Sequence, residues 1–199
     1  MVDDDARVRQ ALSALLASAG REVAVFASAT EFLETDKPDL PACLVLDLEL
    51  PDIHGLELQK ELAEREAPPI VIITGHGDIP SSVKAMKAGA VEFLSKPFGD
   101  EELLQAIDVA IGLDRAERLK RSERRALQER YERLTPRERE VLTFVVSGFA
   151  NKHTAAELGT AEITIAVHRG QVMRKMAAHS LAELVRFADK LGIRPHEDG

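Results

Sequence analysis

Residues 1–112 alternate between helical and extended patterns of hydrophobic positions. Apolar residues recur at helical spacing in five segments, which predict helices at 6–18, 29–33, 55–65, 83–88 and 100–111. Short apolar runs lie between these segments and predict strands at 23–26, 43–46, 70–73 and 91–94. Strands that are apolar on both faces and separated by helices are typical of a parallel sheet. This part of the chain is therefore predicted to be an α/β domain.

Residues 134–192 show helical patterns only, predicted at 136–147, 151–158, 163–176 and 180–191. Thr135, Pro136 and Glu138 form a strong helix-start signal, since Thr caps the helix, Pro suits its first position and Glu returns the capping bond. The short turn at Gly159, between the second and third helices, is typical of a helix-turn-helix. A small four-helix, all-α domain is predicted.

The segment 113–133 is dense in charge and contains neither Gly nor Pro. It predicts a solvated linker helix that continues the helix beginning at Asp100. A plain spacer is the favoured interpretation, since charge runs are usually solvated faces. A short dimer-forming coiled coil is the alternative, although sustained heptads are lacking. The predicted domains are thus 1–112, a linker at 113–133, a helical domain at 134–192 and a tail at 193–199.

Composition narrows the class of protein. Of 199 residues, 45% are hydrophobic and 30% are charged, a globular balance that excludes bulk disorder. No apolar run approaches the roughly 18 residues of a membrane-spanning helix, and the start of the chain does not resemble a secretory signal. A single cysteine, Cys43, excludes an internal disulfide. A cytoplasmic protein without a membrane partner is expected.

Charge is distributed unevenly along the chain. Residues 1–112 carry 9 basic against 21 acidic side chains, a net charge of −12. The net charge is +3 over 113–134 (8 against 5) and +1 over 135–199 (9 against 8). The front half would repel a polyanion and the rear half would tolerate one, so different partners are predicted for the two halves.

Polar residues follow the predicted strands at their carboxyl ends, where chemistry is concentrated in parallel sheets. They are Asp3, Asp4 and Asp5 after Val2, Asp47 after Leu46, Thr74 after Ile73, and Lys96 just after Leu94. Clustered carboxylates suit Mg²⁺, and a carboxylate can serve as a nucleophile that forms an aspartyl phosphate. A lysine and a hydroxyl could stabilise the phosphoryl group. The alternatives are a solvated carboxylate at Asp47 and a merely charged terminal tail.

These residues, in this order, resemble a response-regulator receiver of the FixJ type. The matching segments are 2–5, 46–52, 73–78, 85–90 and 96–98. The resemblance implies a flavodoxin-like, doubly wound fold, with Asp47 as the phosphoacceptor. It implies that Asp3, Asp4, Asp47 and the main-chain carbonyl of Glu49 hold Mg²⁺. It further implies that Lys96 contacts the phosphate and that the Lys96–Pro97 peptide bond is cis.

The same resemblance implies that Thr74 and Phe93 are switch residues, the alternative for Phe93 being a static core ring. One departure stands out, because only Met1 and Val2 precede Asp3 where receivers have a full first strand. An apparently truncated first strand predicts exposure of the neighbouring strands and a loosened Mg²⁺ site.

The third helix of the rear domain is predicted to recognise DNA. Ile165, Val172 and Met176 lie on one face, and a polar stripe of Thr164, His168, Gln171 and Lys175 lies on another, flanked by Arg169 and Arg174. Such a face can enter the major groove, although an ordinary solvated surface would show the same pattern. The segments 134–142, 151–152, 156–159, 164–169, 173–176 and 180–185 resemble a LuxR/NarL-type DNA-binding domain. Asn151 and Lys152 join the predicted DNA-binding residues.

Three functions are compatible with these features. The first is a two-component response regulator and transcription factor that is phosphorylated on Asp47 by a sensor histidine kinase, dimerises on phosphorylation and binds promoter DNA as an activator. Its partners would include RNA polymerase, and the receiver would catalyse only its own phosphotransfer and dephosphorylation. The second is a DNA-binding regulator that no longer uses phosphorylation. The third is a Mg²⁺-dependent phosphohydrolase with Asp47 as nucleophile and Glu49 as acid.

Overall fold

The chain folds into two compact units, Met1–Arg118 and Leu119–Gly199. The computed structural model describes residues 1–36, 38–65, 67–75 and 77–194. No helix of these described residues is long and apolar enough to cross a bilayer. His76, predicted to be a loop residue, and the tail residues 195–199 lie outside the described part of the chain.

The first unit contains a three-stranded parallel sheet surrounded by helices. Its elements are α1 (Ala6–Ser18), α2 (Ala29–Glu34), β1 (Leu44–Asp47), α3 (Gly55–Ala63), β2 (Ile70–Thr74), α4 (Ile79–Lys87) and β3 (Glu92–Ser95), followed by α5 (Asp100–Glu132). The strand order is β1-β2-β3, with Leu44 opposite Ile70 and Thr74 opposite Ser95. Every residue of β1 and β2 is buried, which explains their unbroken apolar sequences.

Helices cover both faces of this sheet. Because successive strand residues point to opposite faces, Leu46 and Ile72 belong to one hydrophobic core while Val71 and Ile73 belong to the other. The first core is completed by α2, α3 and α4, and the second by α1 and α5. The predicted doubly wound α/β architecture is confirmed.

Met1 and Val2 occupy the position of a first strand. Val2 forms parallel bridges with Phe26 on one side and with Leu46 on the other. The amide of Phe26 donates a hydrogen bond to the carbonyl of Met1 at 2.9 Å. The amide of Asp47 donates to the carbonyl of Val2, also at 2.9 Å. This two-residue segment therefore covers the side of β1 that the truncation was predicted to expose.

The strand predicted at 23–26 is not a regular strand. Only Phe26 forms a bridge, and Val25 remains 41% exposed. The backbone of this segment bonds to residues 1–3 through Ala24 and Phe26, with the Met1 amino group donating to the Ala24 carbonyl at 2.7 Å. The start of α4 also differs from the prediction at Val83, because Asp78 caps the helix by accepting a hydrogen bond from the Ser81 amide at 2.7 Å.

The single helix α5 spans the predicted linker, and its residues belong to both units. In the first unit, the buried carboxylate of Asp114 accepts hydrogen bonds from the Ala42 amide at 2.9 Å and from the Arg118 guanidinium at 2.7 Å. In the second, Leu127 is buried and Tyr131 packs on the core. Hydrogen bonds of Asp114 therefore hold the middle of this charged helix, and apolar packing of Leu127 and Tyr131 holds its end.

The second unit contains α6 (Pro136–Val146), α7 (Asn151–Glu157), α8 (Glu162–Met176) and α9 (Leu181–Lys190) after the end of α5. The predicted capping box at the start of α6 is present, with Thr135 and Glu138 bonded reciprocally. Ile165, Val172 and Met176 are fully buried, as their spacing predicted. Ile193, assigned to the tail by the sequence, instead packs against this core.

Candidate phosphoacceptor site and nucleic-acid interface

Three carboxylates meet at the carboxyl end of the sheet. Asp47 ends β1, and Asp3 directly follows the bridged residue Val2, so the pairing of the two segments brings them together. Asp3 is fully buried, Asp47 is 5% exposed and Asp4 is exposed. One carboxylate oxygen from each of these residues lies within 4.8 Å of the others.

Lys96 joins two of these carboxylates. Its ammonium group donates to Asp47 at 2.6 Å and to Asp3 at 2.8 Å. Burial opposes the charge on Lys96, but both hydrogen bonds outweigh that effect, and the pKa of Lys96 is raised. Burial dominates at Asp3, whose pKa is raised although the bond from Lys96 acts to lower it. The peptide bond Lys96–Pro97 is cis, as the resemblance implied.

Two further features hold the loop after Asp47 in place. The amide of Glu49 donates to the Asp47 carboxylate at 3.0 Å, which turns the chain back over the site. Gly55 lies against this turn, because a Cβ at Gly55 would stand 2.6 Å from the carbonyl oxygen of Asp47. The side chain of Glu49 is exposed.

The two predicted switch residues lie on neighbouring strands. Thr74 ends β2 and is fully buried, and its carbonyl accepts from the Lys96 amide at 2.7 Å. Phe93 is half-buried in β3 and lines an open cavity of about 390 Å³ with Gly77, Ile79 and Met86. A Cβ at Gly77 would stand 2.3 Å from the Ser95 Oγ and 3.2 Å from the Phe93 ring, so glycine permits the loop to lie against these two residues of β3.

The donors at the site fit a magnesium ion. Mg²⁺ prefers hard oxygen ligands and usually takes few carboxylates from the protein. Asp3, Asp4 and Asp47 offer three such oxygens within 4.8 Å of one another. Sulfur and imidazole donors are missing from this group, which makes the site unsuited to a softer metal.

Two residues near the site were not found from the sequence. Arg9, on α1, donates from its guanidinium to the main-chain carbonyl of Asp3 at 2.7 Å. Charged residues are common on amphipathic helices, so nothing in the sequence separates Arg9 from its neighbours. Gly55 was also missed, because the close approach of two backbones leaves no sequence signal beyond the glycine itself.

In the second unit, α7 and α8 form a helix-turn-helix in which α8 is the candidate recognition helix. The predicted DNA-facing stripe lies on the flank of α8, where all four members, Thr164, His168, Gln171 and Lys175, are half-buried. The face opposite the buried residues lies one residue further round the helix. Its members recur at the same spacing and are Ile163, Val167, Gly170 and Arg174.

Lys175 is occupied by a contact within the protein. Its ammonium donates to the Glu138 carboxylate of the capping box at 2.6 Å, where the Glu138 side chain is 6% exposed. Burial acts to raise the pKa of Glu138, but the bonds from Lys175 and Thr135 outweigh it and the pKa is lowered. The structure therefore links Lys175 to α6, whereas the sequence predicted it to contact DNA.

The other predicted DNA-binding residues are placed around the helix-turn-helix. Lys152 and Arg174 are exposed, while Asn151 and Arg169 are half-buried. Arg169 donates to the Asn151 side chain at 3.3 Å, which connects α8 to the start of α7. Arg174 bonds to Gln171 on its own helix.

Comparisons with known proteins cover both parts of the chain. A family model for the response regulator receiver domain matches residues 1–108, and the model of bacterial regulatory proteins of the luxR family matches residues 132–188. Nodulation protein W of Bradyrhizobium diazoefficiens is 50% identical over 194 residues, covering 97% of this chain and 86% of that protein.

Transcriptional regulatory protein FixJ of Azorhizobium caulinodans is 42% identical over 199 residues, covering 100% of this chain and 94% of that protein. Among solved structures, the response regulator StyR matches with a TM-score of 0.84 at 47% identity, covering 95% of this chain and 96% of that one. The chain therefore belongs to the family of two-component response regulators in which a receiver domain precedes a LuxR-type DNA-binding domain.

Proposed function

We propose that this regulator accepts a phosphoryl group on Asp47 from a sensor histidine kinase. The observation that carries the proposal is the Lys96 ammonium bonded at once to Asp47 and Asp3. An Asp47 carboxylate oxygen attacks phosphorus, a P–O bond forms, and the bond between phosphorus and the donor's nitrogen breaks. The fixed positive charge of Lys96 stabilises the negative charge on the phosphoryl oxygens. The Thr74 hydroxyl donates a hydrogen bond to one of these oxygens.

Mg²⁺ is the cofactor of the proposed transfer. Asp3, Asp4 and Asp47 would hold it, together with the main-chain carbonyl of Glu49. When bound, the ion neutralises negative charge on the phosphoryl group. Arg9 helps to position Asp3 through the carbonyl that it binds.

Phosphorylation is proposed to change a face of the first unit. Thr74 and Phe93 reposition, and the population shifts toward a homodimer joined through 79–87 and 91–98. Ile79, Val83 and Met86 support this choice because these apolar side chains are 80%, 44% and 44% exposed on α4. An apolar surface of this kind is typical of an interface.

The second unit is proposed to bind promoter DNA. Lys152 and Arg174 are exposed cations near α8 and suit phosphate contacts, with Asn151, Thr164, His168, Arg169 and Gln171 as the remaining candidates. Two copies would engage paired half-sites. We further propose that the protein acts in the cytoplasm as an activator that contacts RNA polymerase. The domain boundaries that we propose are 1–112 for the receiver, 113–133 for the linker and 134–192 for the DNA-binding domain.

The deciding experiment treats the full chain with Mg²⁺ and acetyl phosphate and measures intact mass together with oligomeric state. One added phosphate, accompanied by dimerisation and lost in Asp47→Asn, is the expected result. A folded wild-type protein that gains no phosphate would contradict the proposal. Equal DNA affinity with and without the donor would instead favour a regulator that no longer uses phosphorylation.

Membership of the response-regulator family argues against the phosphohydrolase hypothesis. Members of this family are transcription factors rather than turnover enzymes. In addition, the Glu49 side chain is exposed to solvent, whereas carboxyl groups that act as general acids are usually buried.

A further inference from the structure

The most exposed face of α8 is apolar where it would meet a nucleic acid. Ile163 is 73% exposed and Val167 is 57% exposed, one helical turn apart. Ala166, between them in sequence, is exposed as well. Large aliphatic side chains exposed to this degree on a recognition helix have no packing role within the second unit.

We propose that Ile163 and Val167 determine sequence specificity by contacting the C5 methyl groups of thymines in the major groove. This inference rests on the proposed DNA binding and names the bases that the helix recognises. In a helix-turn-helix, residues near the N-terminus of the second helix contact base edges, and Ile163 is the second residue of α8. Thymine carries the one apolar group that the major groove presents, and aliphatic side chains contact it.

Charges around the face identify DNA as its occupant. Arg174 lies on the same face, further along α8, and Lys152 is exposed at the start of α7. Cations at the margins of an apolar ridge complement the phosphates that border a groove, whereas the ridge itself faces the bases. An apolar protein partner would not require this basic border.

Gly170 gives a second, independent indication of a close partner. It lies in the interior of α8, where glycine destabilises a helix relative to alanine. A Cβ at Gly170 would meet nothing within 4 Å, so packing inside the protein does not require glycine. The missing side chain allows the groove to approach the helix backbone next to Val167.

The test begins with sequences selected by the full chain from duplexes with a randomised centre, with and without acetyl phosphate. Each enriched thymine is then replaced by deoxyuridine, which lacks only the C5 methyl group. At the contacted positions we expect the affinity of the wild type to fall about fourfold per methyl group, the factor that corresponds to one buried methylene. Ile163→Ala should bind the thymine duplex more weakly and lose nothing further on the deoxyuridine duplex.

Two control variants separate base recognition from general binding. Val109→Ala removes a similarly exposed side chain, 50% exposed on α5, and should retain the full effect of deoxyuridine. Arg174→Gln should weaken binding to both duplexes equally. Gly170→Ala should slightly raise thermal stability yet weaken binding, a combination that a purely structural glycine would not give.

The possible outcomes distinguish failure of this inference from failure of the proposed DNA binding on which it rests. Enriched sequences that tolerate deoxyuridine at every position would overturn the role of Ile163 and Val167 while leaving DNA binding intact. The same conclusion would follow if Ile163→Ala and Val167→Ala kept the full deoxyuridine effect. A pool without any enriched sequence would overturn the proposed DNA binding and this inference with it.

Discussion

At the scale of single residues, the site depends on a glycine as much as on its charged groups. Gly55 has no room for a Cβ, which would stand 2.6 Å from the Asp47 carbonyl oxygen and 2.8 Å from the Leu48 Cα. Both neighbours are backbone atoms, so neither can move without displacing Asp47. We expect Gly55→Ala to lower the free energy of unfolding by about 1–3 kcal/mol.

The same substitution should slow phosphorylation of Asp47 by about tenfold or more, because small displacements of reacting groups are costly. Unfolding in urea and intact mass over time measure the two effects. Gly112→Ala is the matched control, since a Cβ there meets nothing within 4 Å and α5 gains helix propensity. Wild-type stability in Gly55→Ala would contradict the geometry.

Lys175 and Arg174 are adjacent cations with different predicted roles. Lys175→Met leaves the buried Glu138 carboxylate without its ammonium partner, and we expect a loss of about 2 kcal/mol in unfolding free energy. The salt dependence of DNA binding should not change, because Lys175 contacts no phosphate in this proposal. Arg174→Gln should have little effect on stability and should reduce the slope of log K against log salt by about one.

Titration curves of affinity against salt for the two folded variants check this difference. A reduced slope in Lys175→Met would return Lys175 to the DNA contacts predicted from the sequence. The sign of the pH effect follows from the lowered pKa of Glu138. The stabilisation is present above the ordinary carboxyl pKa, about 4.3, and is lost as pH falls through the lower folded value.

At the scale of elements, the loop after β1 is anchored to the start of α2. Asp52 accepts hydrogen bonds from the amide of Thr30 at 2.8 Å, from its hydroxyl at 2.7 Å and from the Ala29 amide at 3.2 Å. Slight burial opposes the charge, but these bonds outweigh it and lower the pKa of Asp52 to about 2. Asp52→Asn removes the negative charge and one of the two acceptor oxygens at the start of α2, and it should cost about 0.5–1 kcal/mol at pH 7, the usual strength of a charge at a helix N-terminus.

This loss should depend on pH in a defined direction. The folded pKa lies below the unfolded value of about 3.9, so the stabilisation is complete above that value. It declines as pH falls toward about 2. Urea midpoints of wild type and Asp52→Asn at pH 7 and near pH 3 measure it, and a difference that grows toward acid would contradict this assignment.

Elements that the sequence predicted well carry their signal in unbroken or periodic apolar positions. The strands β1 and β2 are buried along their whole length, and the start of α6 has a complete capping box. The segment at 23–26 has the same apolar composition but lacks a long partner, and strand formation depends on that partner. Pairing is a tertiary property that local pattern does not contain.

The recognition helix shows a different limit of hydrophobic patterning. Ile163 and Val167 are apolar, so hydrophobic patterning places the exposed face on the polar stripe of His168 and Lys175 instead. The structure rotates that face by one residue, about 100° of helix. The cluster of Asp3, Asp4 and Asp47 was predictable because strand ends converge in a parallel sheet, whereas Arg9 and Gly55 act through backbone contacts that spacing does not indicate.

At the scale of the whole molecule, the proposed function requires that phosphorylation and DNA binding influence each other. A ligand shifts an equilibrium only by its difference in affinity for two states, and this coupling is reciprocal. Beryllium fluoride, which mimics a phosphoryl group on a carboxylate, allows the coupling to be measured at equilibrium. It should raise the affinity of the full chain for a selected duplex by a factor within the usual range of about 5–150.

A saturating amount of the same duplex must then raise the affinity for beryllium fluoride by an equal factor. Titrations in both directions, in the presence of Mg²⁺, measure the two factors, and Asp47→Asn should abolish both. Factors of one in both directions would separate DNA binding from the phosphoacceptor site and favour the phosphorylation-independent regulator. Equal factors above one would mean that the protein has two states and that both sites shift the balance between them. Unequal factors would mean only that the titrations had not reached equilibrium, because the coupling between two binding sites is reciprocal.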